Sequence, residues 1–202
     1  MRKIWKVAAM LAAAGLPIAA HAGAPDAGTY EPYSRAEYPK TFATWGEAGI
    51  RKVNEFRKKA AFKASAAATC DEVAYADVSD NRSRPPSEIV IFVDCNNGQR
   101  FYFDEAALAA SGPVLSETEK TAHISDKTVL SRCREELPKR LQFPSSYDPD
   151  WFGESVYRAP VTGRVVAQIN FEAKNGIGNT IPQTGRCIFD ASGLVDVEIA
   201  NR

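Results

Sequence analysis

The sequence predicts an α+β fold built as two small subdomains, each a helix followed by an antiparallel sheet and each closed by one disulfide. Three observations carry this expectation. Two stretches place apolar residues at three- and four-residue intervals, and each precedes runs in which apolar and polar residues alternate as in half-buried strands. Turn-forming residues separate the alternating runs, which favours hairpins over helical crossovers. Finally, the cysteines Cys70, Cys95, Cys133 and Cys187 divide into one pair for each half.

The elements follow in order. Arg2, Lys3 and Lys6 precede an apolar run from Val7 to Ala20, and Ala20-His21-Ala22 places small residues where a signal peptidase requires them. Residues 1–22 therefore read as a signal peptide cut after Ala22, with periplasmic or secreted delivery and no transmembrane span left after processing. Residues 23–42, rich in Pro, Gly and Ala and carrying Tyr30, Tyr33 and Tyr38, read as an extended arm. The N-terminal subdomain, 43–112, opens with a helix from about Thr44 to Ala67, whose apolar side is Trp45, Gly49, Val53, Phe56 and Ala60.

Strands are expected over 72–78, 88–95 and 100–104. The first two flank the polar loop Asp80–Pro86, so a hairpin centred there sets Cys70 opposite Cys95, at cross-strand distance. Asn97-Gly98 predicts a type I′ turn into the third strand. The C-terminal subdomain, 113–202, begins with a polar stretch and a helix from Asp126 to Arg140, capped by Ser125. Its stripe is Leu130, Cys133, Leu137 and Leu141, which turns Cys133 toward the core and Cys187. Pro138 is expected to end or kink that helix. Residues 143–152 read as a loop. Strands then follow over 161–172, with Val165, Ala167, Ile169 and Phe171 on one face, and over 186–190 and 194–199.

The run Cys133…Leu137…Phe143-Pro144-Ser145-Ser146, then Phe171-x-Ala173-Lys174-Asn175-Gly176-x-Gly178 and Cys187-x-Phe189, resembles a pattern in small uncharacterised bacterial proteins, many of them exported. That resemblance implies an α+β module and brings no activity and no catalytic residue.

The residues present exclude several chemistries. Acidic and basic side chains balance at 25 each, which argues against a nucleic-acid binder. Processing removes three basic residues and leaves a net charge of about −3. His123 is then the single histidine, and it has no G-x-S-x-G serine and no C-x-x-C thiol to serve. In an oxidising compartment the four cysteines read as disulfides before metal ligands, so neither a metal site nor a cofactor is expected. Gly176-x-Gly178 lacks a third glycine and a following helix, which leaves a hairpin turn.

Two segments keep a functional reading. Arg51, Lys52, Arg57, Lys58, Lys59 and Lys63 form a basic helix suited to anionic headgroups or an acidic partner, although such runs are commonly solvated faces. Asp150 and Glu154 flank Trp151 and Phe152, where carboxylates beside aromatics suit glycan hydrolysis or, equally, a core anchor. The leading expectation is a non-enzymatic binding protein of the bacterial envelope, with an envelope protein or cell-wall component as partner. An envelope hydrolase and an inhibitor or immunity protein are the alternatives.

Overall fold

The computed structural model describes residues 23–202; the predicted export segment lies outside the described residues. Helix α1 spans Pro39–Ser65 and is interrupted at Gly46, whose φ of 65° breaks the helical path. It starts inside the predicted arm because Pro39 at the first turn presets the helical φ. Ahead of it, Tyr33 is buried, and its backbone N–H donates to Asn54 at 3.1 Å.

Strands β1 (Val73–Val78), β2 (Ile91–Cys95) and β3 (Arg100–Phe103) form an antiparallel meander in that order. Ile91, Val93, Phe101 and Phe103 point inward and pack with Val53, Phe56 and Ala60 of α1 in one core. The Cys70–Cys95 disulfide is present, with Cα atoms 5.6 Å apart. Its route differs from the expectation: Val73, not Cys70, pairs with Cys95 in the ladder, and Cys70 reaches across from the turn before β1. The β2–β3 turn is also corrected. Gly98 alone has positive φ, at 82°, and the loop is three residues, closed by Cys95 N–H to Gln99 O at 2.9 Å. Glycine in the last loop position does the work that type I′ would have asked of Asn97 as well.

Two short helices, α2 (Glu105–Ala109) and α3 (Glu117–Thr121), lead to α4 (Asp126–Glu136), which Ser125 caps as expected. The α4 turn geometry tightens at Pro138–Arg140, one residue past the cap Leu137. The buried stripe is Val129, Cys133 and Leu137; Leu130 sits at the core's margin.

The second sheet has four strands where three were expected: β4 (Asp148–Arg158), β5 (Val165–Lys174), β6 (Thr180–Asp190) and β7 (Gly193–Asn201), paired in sequence order. The added strand, β4, begins in the segment read as a loop. Val165, Ala167, Ile169 and Phe171 face α4 and are fully buried. Cys133–Cys187 ties α4 to β6.

Helix α3 joins the two cores. Its Ser116–Glu119 capping box is complete. Glu119 accepts from Thr69, Glu117 pairs with Arg82, and Thr118 donates to Gln99, all on the first half. Thr121 donates to Gly163 O, at 2.6 Å, on the second. Gly163 combines φ of 63° with so close an approach that a Cβ would lie 2.0 Å from Glu117 O. Only glycine satisfies both demands.

Candidate functional site

The most exposed aromatic pair grows out of an irregularity in β4. Pro149 pairs with Phe171 and Glu154 with Ile169, so residues 150–153 together oppose Asn170 alone. Such an insertion lifts the chain out of the sheet and re-aims its side chains. β4 lies at the sheet edge, where the missing N–H of Pro149 leaves no ladder bond unmade. Gly153 closes the bulge, since a Cβ there would lie 2.7 Å from Asn170 Cβ and 2.8 Å from Asp150 Cβ.

The result is a knob. Trp151 is 95% exposed and Phe152 101%, the two most exposed large apolar side chains among the described residues. The sequence reading placed these aromatics beside acids and left open whether they anchored the core; they do not. A cleft of about 530 Å³, lined by Asp148, Asp150, Asn170 and Glu172, lies beside both rings. A second, of about 390 Å³, lies beside Trp151 and reaches Arg134 and Glu154.

The carboxylates of this region are unequal. Glu154 is gripped by the Arg134 fork, whose Nε donates at 2.6 Å and whose Nη2 donates to the other oxygen, and this bonding raises the guanidinium pKa. Asp150 pairs with Arg202 at 3.0 Å. An acid role for Glu154 in glycoside hydrolysis would require this fork to open, because Arg134 engages both of its oxygens. Asp148 and Glu172 face each other directly across β4 and β5, and neither has an ion-pair partner among the described residues. Like charges so placed repel. The buried Tyr147 hydroxyl has no hydrogen-bond partner. Burial, and then the Glu154 charge, push its pKa up to about 12.

The basic residues of α1 divide into buried, paired and exposed side chains. Arg57 leaves the proposed patch: it is 7% exposed, donates to Ala76 O at 2.8 Å and Glu31 O at 2.7 Å, and stacks over Tyr33. Burial lowers its pKa. Lys52 pairs with Glu105 and Lys59 with Glu55. Lys63 donates to the carbonyls of Ala107 and Ala110. Arg51 and Lys58 are exposed.

The sequence reading missed what lies between these lysines. Phe62, 43% exposed, and Leu108 of α2 floor a groove of about 630 Å³ rimmed by Lys58, Lys59 and Lys63. Phe62 falls off the predicted apolar stripe, which was the available signal. Leu108 comes from a distant segment and left none.

No group of three or more His, Cys, Asp or Glu among the described residues is placed to hold a metal ion. His123 is exposed at the end of α3. No helix there is long and apolar enough to cross a membrane. What these features define is a small disulfide-stabilised α+β protein. Family models, curated proteins and solved structures contain no match to this chain.

Proposed function

We propose that this chain is an exported, non-enzymatic interaction protein of the bacterial envelope, and that it contacts a protein partner through the Trp151–Phe152 knob. One observation carries the reading: two adjacent large aromatics stand almost wholly in water on a bulge. Leaving them exposed forgoes the stabilisation of about 1.5–3 kcal/mol that burying a large apolar side chain brings. Aromatics also dominate interface hot spots. The β4–β5 ladder on either side of the bulge holds the knob's base, so binding would order few additional residues.

The test places a photo-crosslinking residue at position 152 in the exported chain, with Trp151→Ser/Phe152→Ser as the companion variant. A discrete protein adduct from position 152, absent from an exposed control position such as Lys127, is the expected result. The double variant should melt unchanged. An unmodified chain that cleaves peptidoglycan, with activity lost in Glu154→Gln but kept in the double variant, would overturn the reading.

A further inference from the structure

We infer that the knob's partner is a second copy of this chain, which receives Trp151 and Phe152 in the groove between α1 and α2. This rests on the knob reading above and names its occupant. Two unexplained surfaces of the same molecule complement one another in apolar character and in charge. The knob is aromatic, with Asp148 and Glu172 beside it lacking ion-pair partners among the described residues. The groove is apolar at Phe62, Ala66 and Leu108, and cationic at Lys58, Lys59 and Lys63, with Glu55 as its single acid.

The hollow is double. Beyond Lys63, which lines both parts, a second depression of about 280 Å³ is formed by Ala107, Val114 and Leu115 with Lys120 at its edge. Two neighbouring apolar hollows suit two neighbouring rings. Each aromatic side chain brings about 150–250 Å² of surface to bury. Lys58, which is exposed and has no ion-pair partner among the described residues, brings its ammonium to the rim and would relieve the repulsion between Asp148 and Glu172.

The two surfaces differ, so each knob–groove contact joins unlike patches. Two copies that exchange knobs reciprocally close as a two-fold dimer, whereas copies that insert a knob without receiving one in return extend into a larger ring or a filament. Opposed charged rims make the association weaken as salt rises.

The experiment is sedimentation velocity on the oxidised, processed chain over a concentration series, at low and high salt. A knob variant carries Trp151→Ser and Phe152→Ser. A groove variant carries Lys58→Glu, Lys59→Glu and Phe62→Ser, all at exposed positions. The unmodified chain should sediment faster as concentration rises, reaching at least a dimer. Each variant alone should associate at least about tenfold more weakly. An equimolar mixture should restore association and stop at a one-to-one dimer, because one variant keeps the groove and the other keeps the knob. That rescue also excludes misfolding as the cause of the single losses.

A chain that remains monomeric throughout overturns the inference, as does a mixture that fails to associate or a variant that self-associates normally. The crosslinking above separates the two levels of failure. An adduct with a different protein, from a chain that stays monomeric, leaves the knob reading standing and removes the second copy. A glycan that quenches Trp151 fluorescence in a monomeric chain overturns both.

Discussion

Asp77 shows how one side chain couples the leading segment to the first sheet. Its carboxylate accepts the Tyr33 hydroxyl and the Val78 N–H, the latter at 2.6 Å, while Arg57 stacks over the Tyr33 ring. Burial raises its pKa above the ordinary carboxylate value; the Val78 N–H opposes the rise and the Asp80 charge adds to it. The native state therefore holds this proton at pH values where the unfolded chain has lost it. The sign follows: the group's contribution is complete below the unfolded value and falls as pH rises through the native one. Asp77→Asn keeps an acceptor oxygen and removes the charge. It should melt no lower than the unmodified chain at neutral pH and lose the Asp77 component of the acid-side dependence. A clear drop in melting temperature at neutral pH would refute this account.

At the scale of elements, the tightest apolar fit at a glycine is Leu137 at the end of α4 against Gly185 of β6. A Cβ on Gly185 would lie 2.3 Å from Leu137 Cδ2. Leu137 is fully buried, so it has no room to swing aside. Gly185→Ala should cost about 1–3 kcal/mol by overpacking, and Leu137→Ala about 2–5 kcal/mol by leaving a cavity. Because the residues share one space, the double variant should cost less than the sum when measured by denaturant unfolding. Additive losses would mean the contact is not the cause. The same scale shows where reading by periodicity succeeds. The β5 alternation was visible because each of its inward residues faces one continuous layer. β4 was hidden because an edge strand interrupted by a four-residue bulge has no continuous alternation to show.

Across the whole molecule, two cores are each stapled and then joined through α3 and Gly163. The bridges close chain segments of different length, separated by 25 residues for Cys70–Cys95 and 54 for Cys133–Cys187. Restricting the unfolded chain is worth more for the longer loop, about 4 kcal/mol against about 3.5 kcal/mol in the loop-entropy account. Replacing both Cys133 and Cys187 by Ala should thus cost about 2–5 kcal/mol and lower the melting temperature at least as much as replacing Cys70 and Cys95. An unchanged melting temperature would remove α4–β6 cross-linking from the fold's stability.

The sequence by itself determined the α+β class, the Ser125 cap and the inward face of β5, and it favoured, among three connectivities, the cysteine pairing that the structure has. The first three follow from local periodicity and capping chemistry, which are written in neighbouring residues. Tertiary structure decided the rest. It withdrew Arg57 from the basic face, because only the folded chain brings Ala76 O and Glu31 O to the guanidinium. It gave Asp150 and Glu154 separate arginines drawn from Arg202 and α4. It also turned Trp151 and Phe152 outward, and set Leu108 beside Phe62 to floor a groove. Each of those outcomes depends on residues far apart in the chain meeting in space, and no local pattern encodes such a meeting.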